Sequence, residues 1–368
     1  MAHDGCAVGG LDDVIAAETR LSAVDGQRGE LIIAGARLDD LAGLVPFEVV
    51  AARLFADLFD PSPTPDALRA RLGGARVRVF EALHRAVPEL AAMPPMDGLR
   101  ALIARLPDGD DLEAALTLLA APAVLTPALI RTRCGLEPLA PDAKAGQAAD
   151  MLRMMTGAAP SPEAAAALDA YLVTVCDHGL NASTFAARVV ASTWAGLGSS
   201  AIAGLSALKG PLHGGAPGPV IAMLDGIGAP AHAAAWIEAA LDRGERVMGF
   251  GHRIYKVRDP RADALKAAVQ RLSTTQGPAP GRLALAEAVE RAALDTLRRR
   301  KPDHPLDVNV EFYTALLLEA LGFPPDAFTA VFATGRMAGW LAHAREQRLT
   351  GRLIRPQSRY VGPLAAAA

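Results

Sequence analysis

The chain is poor in several things that narrow its function. Aromatic residues are 5% of its 368 positions, only three are cysteine, and 37 basic against 40 acidic residues leave a net charge of −3. So few aromatics make a poor stacking platform for single-stranded nucleic acid. Without a basic excess there is no field to hold a polyanion, so no nucleic-acid partner is expected. Cys6, Cys134 and Cys176 lie far apart, which suits neither a disulfide framework nor a metal site and fits a reduced, cytoplasmic setting. An HExxH helix and a Cys/His cluster are both missing, so no bound metal is expected. There is no GxGxxG turn, no Walker-type phosphate loop, no strand–helix alternation and no fixed-period repeat. The N-terminus lacks a basic start followed by an apolar run, so no secretory signal is expected. No membrane association is expected either. Val189–Leu208 is uncharged but built of Ala, Gly, Ser and Thr, and Ala114–Ile130 is interrupted by Pro122 and Pro127.

What is abundant is helix. Ala, Leu, Arg and Glu dominate, and Leu285, Val289, Ala293 and Leu297 recur at steps of four on one face. Arg298–Lys301 reads as a charged last turn favoured by the helix dipole. Pro162 opens a helix to about Cys176, and Pro324-Pro325-Asp326 opens a long last helix with Phe328, Phe332 and Arg336 in line. The only clear strand is Gly29–Gly35, one arm of a small N-terminal hairpin. Gly210–Pro219 is too rich in Gly and Pro for helix or strand, and Gln276–Gly281 reads as a surface loop.

Chemistry gathers on a few residues. His213 and His252 sit in loops flanked by glycine, where the backbone can approach a ligand closely. His178 follows Asp177 at a helix end and serves as a cap or a ligand contact. His3, His84, His232, His304 and His343 sit in contexts that suggest no site. Arg261, Arg336 and Arg355 offer forks for carboxylates, and Arg336 on its apolar stripe needs an anionic partner if buried. Glu311 stands at a helix start among apolar residues, either as a base or in a salt bridge. Together these residues suit acid/base chemistry on a small polyanionic acid, with carbon–carbon bond formation beside a carbonyl.

At these runs the chain resembles the citrate synthase family. The matching segments are Asp177–Phe185, Leu208–Ala216, Gly249–Lys256 with Asp259–Ala262, Asn309–Tyr313, Phe332–Trp340, and Arg355-Pro356 with Tyr360 and Gly362. They fall in family order, and the similarity extends to Ala16–Thr19 and Asp25-Gly26. The resemblance implies an all-α, two-domain homodimer, with a large domain of residues 1–214 and 323–368 and a smaller mobile domain of 215–322. It implies condensation of acetyl-CoA with oxaloacetate, then thioester hydrolysis. The CoA thioester is a co-substrate and no cofactor is held permanently.

By the same resemblance His213 stabilises the thioester enol, Glu311 removes the methyl proton and His252 polarises the ketone. His178, Arg261 and Arg336 hold the carboxylates, Arg355 enters from the other subunit, and Lys256 meets CoA. Where the family usually has Asp, then Ser and Gly, this chain has Glu311, Thr314 and Ala315, and Gly179 replaces a common Glu. Two alternatives follow: a propionyl-CoA enzyme making 2-methylcitrate, and a weakly active relative that binds CoA or a dicarboxylate as a sensor.

Overall fold

The computed structural model describes residues 10–11, 14–214, 217–276, 281–302 and 306–363. His3, Cys6, Gly215, Ala216, His304 and most of the Gln276–Gly281 loop lie outside them. Nearly all regular structure is helical. The N-terminal region forms a small antiparallel sheet of β1 (Ser22–Asp25), β2 (Glu30–Ile33) and β3 (Ala36–Arg37), in the order β1-β2-β3. Ser22 pairs with Ile33, and Ile33 also pairs with Ala36. The expected hairpin thus gains a third strand. Ala34 (φ 46°) and Gly35 (φ 79°) both take left-handed backbone, the two-residue turn that matches strand twist.

Helix starts follow local chemistry. Thr64, Asp111 and Ser161 each accept a hydrogen bond from the backbone three residues on, and Pro65 and Pro162 supply pre-set first turns. The Leu112–Arg133 helix departs from the sequence expectation. It runs straight through Pro122 and Pro127, so the prolines do not disqualify it as a span. By length and composition it is apolar enough to cross a membrane, yet 83% of its apolar window is buried inside the protein. Helices Pro65–Leu83, Gln147–Thr156 and Phe328–Thr350 pack around it, and that burial outweighs the lost hydrogen bonds. Val189–Leu208 divides between helices Ala182–Ala191 and Leu197–Leu208, with Trp194 (φ 68°) in the turn between them.

The last helix, Phe328–Thr350, is buried along most of its length. It lies almost flush against the end of helix Pro162–Val175. A Cβ on Gly335 would fall 2.6 Å from Val175 Cγ2, and one on Gly339 would fall 2.4 Å from the Cys176 carbonyl. Trp340 leans on Gly204, where a Cβ would come within 2.7 Å of its ring. Helix Pro217–Ile227 begins inside the run expected to be irregular, because only its first residues are turn-like. Pro260–Gln276 packs on both Val310–Ala320 and Pro162–Val175.

One short pairing positions the site. Gly251 N donates to Asp307 O (2.8 Å) and Asn309 N to Gly249 O (2.9 Å), around a bridge between Phe250 and Val308. Gly249 and Gly251 hold φ of 83° and 86°, and a Cβ on Gly249 would fall 2.8 Å from Phe312 Cβ. The His252 loop is thereby laid beside the helix that begins at Val310.

Candidate active site

A cleft of about 1580 Å³ is lined by His178, His213, His252, Arg261, Glu311 and Arg336. Six of the eight site residues read from the sequence therefore meet in one place. The two others stand apart. Lys256 is exposed and its ammonium donates to the Arg253 carbonyl at 3.4 Å, on its own turn. Arg355 is exposed in the C-terminal arm and borders a separate groove of about 510 Å³ with Arg352 and Ile354.

Helix caps aim the key side chains. Asn181 accepts from Ser183 N and Thr184 N and starts helix Ala182–Ala191, leaving His178 just ahead of it at the cleft wall. Asn309 accepts from Glu311 N at 3.0 Å and gives Gly251 O a bond of 2.8 Å, which joins the Glu311 helix to the His252 loop.

The corner around Asp259 is saturated. Its carboxylate takes a two-pronged contact from Arg261 Nε (3.0 Å) and Nη2 (2.8 Å), and also accepts from Val310 N at 3.1 Å. His252 Nδ1 accepts from the backbone N–H of Ile254 and of Tyr255, both at 3.0 Å. That leaves the ring proton of neutral His252 on Nε2, where Arg261 Nη2 lies 3.2 Å away. Two donors face each other there, an arrangement that an acceptor atom in the cleft would relieve. Burial, reinforced by Arg261, pushes His252 down to about 4, so at neutral pH it is an uncharged N–H donor.

His213 approaches Ser183. Its Nε2 lies 2.8 Å from Ser183 Oγ, which also lies 2.8 Å from Asn181 Oδ1 and accepts from Trp340 Nε1 at 3.1 Å. Burial first, then Arg336 and Arg261, bring His213 to about 4. His178 is buried, with Nε2 3.1 Å from Tyr255 Oη, and burial and the same two arginines hold it well below the ordinary histidine value. All three imidazoles are neutral.

Glu311 and Arg336 are different. Glu311 Oε2 is buried and, among the described residues, has no hydrogen-bond partner. Burial pushes its carboxyl up to about 7, with Asp259 adding to the rise and Arg261 and Arg336 opposing it. Arg336 is 1% exposed, donates Nε to Val175 O at 2.6 Å and lies over the Phe332 ring at 4.9 Å. Among the described residues it forms no ion pair with a carboxylate. A buried guanidinium without a counter-ion asks for an anionic ligand. At the mouth Arg246, Arg253 and Lys301 are exposed and basic, suited to a phosphorylated tail. Arg299 and Arg300 instead pair with Glu238, as expected of a charged last turn. Among the described residues no group of three or more His, Cys, Asp or Glu is placed to hold a metal.

Sequence reasoning missed Ser183, Asp259 and Tyr255 as parts of the site, although all three fall inside the motifs it singled out. Asn181 and Asn309, each an Asn just before an apolar helical run, were the available signals for the caps.

Comparison with known proteins agrees with this geometry. The profile of the family described as "Citrate synthase, C-terminal domain" matches residues 10–357. A citrate synthase of Haloferax volcanii is 36% identical over 369 residues, covering 96% of this chain and 95% of that protein. A 2-methylcitrate synthase of Mycobacterium tuberculosis is 34% identical over 367 residues, covering 96% and 90%. The citrate synthase of Thermoplasma acidophilum, solved with carboxymethyl coenzyme A and oxaloacetate, superposes with a TM-score of 0.86 at 28% identity over 98% of this chain and 97% of its own. The fold and cleft define an enzyme of the transferase kind that joins two carbon skeletons. The chain belongs to the citrate synthase family, with that family's helical two-domain fold.

Proposed function

We propose that this enzyme condenses acetyl-CoA with oxaloacetate and then hydrolyses the thioester, releasing citrate and CoA. One observation carries the reading: an unpartnered Glu311 carboxylate poised near neutrality shares a cleft with neutral imidazoles and a buried Arg336 lacking a counter-ion. Glu311 takes a proton from the acetyl methyl group. His213 meets the thioester oxygen as negative charge builds there. The Ser183 hydroxyl has one proton and two acceptors in reach. Given to His213 Nε2, it leaves the ring's own proton on Nδ1, where it can be donated to that oxygen. His252 Nε2–H then donates to the ketone oxygen of oxaloacetate, the acceptor its corner lacks. Arg261, Arg336 and His178 hold the carboxylates.

The homodimer belongs to this proposal. Arg355 lies outside its own cleft and serves the partner's, and the terminal arms leave Ile15, Leu353, Tyr360 and Val361 exposed, apolar surface suited to a second copy. Residues 215–322 act as the smaller, closing domain. Similarity to the 2-methylcitrate synthase favours a second reading, with propionyl-CoA as the acyl donor. One methylene discriminates by only about 10–200-fold in an apolar pocket. Turnover with acetyl-CoA and with propionyl-CoA, each with oxaloacetate, tests both. A chain that binds oxaloacetate but turns over neither thioester is a sensor instead.

A further inference from the structure

Behind the cleft lies a cluster of buried polar side chains that the proposed chemistry does not use. Arg188 is 1% exposed at the far face of helix Ala182–Ala191. Its Nη1 donates to His343 Nδ1 (2.8 Å) and to Glu346 Oε2 (2.7 Å), and its Nε donates to Gln347 Oε1 (3.0 Å). Because a guanidinium only donates, His343 Nδ1 is the acceptor and the ring proton sits on Nε2. That proton points to Asp177 Oδ2 at 3.2 Å. Asp177 directly precedes His178, whose ring lines the cleft, and the same Oδ2 accepts from Ser22 Oγ of β1. Ser22 Oγ in turn accepts from Gly179 N at 2.9 Å, so the residues on both sides of His178 are held.

On the other side, Gln347 Nε2 donates to the Arg352 carbonyl at 2.9 Å, and Ile354 N donates to Ser192 Oγ at 3.0 Å. These bonds fix the start of the arm that carries Arg355. Arg20 N donates to Glu346 Oε1 at 3.1 Å, tying in the segment before β1. A buried ion pair is a poor source of stability, since removing two charges from water offsets much of their attraction. Here its geometry joins His178, in this chain's own cleft, to the arm whose Arg355 serves the neighbouring cleft in the reading above.

We propose that Arg188, with His343 on one side and Gln347 on the other, forms a positioning relay that fixes His178 in its own cleft and the Arg355 arm for the neighbouring one. The relay touches no substrate. It sets the geometry of the oxaloacetate-binding groups and leaves the thioester side alone. The proposal rests on the oxaloacetate reading of the cleft and on Arg355 serving a second subunit.

The test uses the whole chain in its assembled state and three variants. His343→Leu cuts both bonds of the ring. In His343→Gln the amide can accept from Arg188 and donate to Asp177, restoring both. Gln347→Leu removes the acceptor for Arg188 Nε and the donor to the arm, and leaves both His343 bonds in place. The relay predicts that His343→Leu and Gln347→Leu each raise KM for oxaloacetate by about tenfold, with KM for the acyl-CoA within about twofold, and that His343→Gln stays within about threefold of the parent. Amide exchange should quicken at 177–179 in His343→Leu and at 352–356 in Gln347→Leu. Equal loss toward both substrates, or failure of His343→Gln to restore oxaloacetate binding, overturns it. If the parent turns over no acyl-CoA, the proposed function fails, and calorimetric binding of oxaloacetate with the same exchange data judges the relay alone.

Discussion

The residues anchored on Asp259 and the pair Glu311–Arg336 line one cleft, yet they are finished to different degrees. Around Asp259, Arg261 and His252 have their protein-facing hydrogen bonds made before any ligand arrives. In the same cleft, among the described residues, Glu311 Oε2 has no hydrogen-bond partner and Arg336 forms no ion pair. Groups that hold a ligand gain from being fixed in advance, since ordering them later would weaken binding. A group that must take a proton works only if its lone pair is not already committed. The difference separates groups already committed to protein partners from groups left open to a ligand or a proton within a single cavity.

The sharpest way to break this comparison is Glu311→Gln. An amide cannot take a proton, so kcat falls roughly 10³-fold with oxaloacetate binding retained. Burial pushes this carboxyl up to about 7, so the neutral form is favoured in the fold and its ionisation above the ordinary 4.5 destabilises the protein. The glutamine variant therefore melts higher than the parent at pH 8, read by calorimetry, as it loses activity. A variant that is both active and less stable would assign the base elsewhere. Next come His213→Ala and His252→Ala, each expected to lower kcat/KM by about 10²–10³-fold with an unchanged circular dichroism spectrum.

Glu311→Asp withdraws the carboxylate by about 1.5 Å, the length of one carbon–carbon bond. A loss of about 100-fold in kcat follows if the backbone is built around the longer side chain. A many-fold gain would mean that the glutamate is a handicap. The pH profile sharpens the same point. Glu311 must be ionised to act, so kcat/KM falls about tenfold per unit as pH drops below about 7, while His213 and His252, both near 4, stay neutral through that range. At the Asp259 corner, Asp259→Asn removes the charge and one of the two acceptor oxygens that hold Arg261 and Val310. It should raise KM for oxaloacetate by about 10–100-fold and leave the pH profile in place. The smallest effect is partial. Mixing Arg355→Ala with His213→Ala chains restores some activity, because one site of each mixed dimer keeps both residues. Full activity in a sedimenting monomer would remove the shared site.

Much of this site was legible because its chemistry sits in short contiguous motifs. His213 and His252 stood out by their glycine neighbours, Arg336 by its step of four from Phe332, and Glu311 by its place at a helix start. The relay was not legible. His343 and Asp177 are 166 positions apart, and nothing local to either announces a hydrogen bond. His343 lies in a helical context with no partner at metal spacing, so the sequence alone assigns it no site. The prolines at 122 and 127 misled in the same way. Their local preference is real, but the helices packed around them decided the outcome. Arg355 and Lys256 resist for another reason, since a single chain in one conformation holds neither against the cleft.

The flush contact of the last helix has a consequence for how narrowly its sequence is bounded. Gly335 and Gly339 bracket Arg336 and touch backbone that no rotamer change can move aside. Adding one methyl at either place would wedge the helix outward and carry the guanidinium away from the Val175 carbonyl with it. A chemically inert alanine there would then behave like a mutation of the charged residue between them. In a substitution scan the two glycines should register as part of the binding site, although they carry no side chain with which to bind.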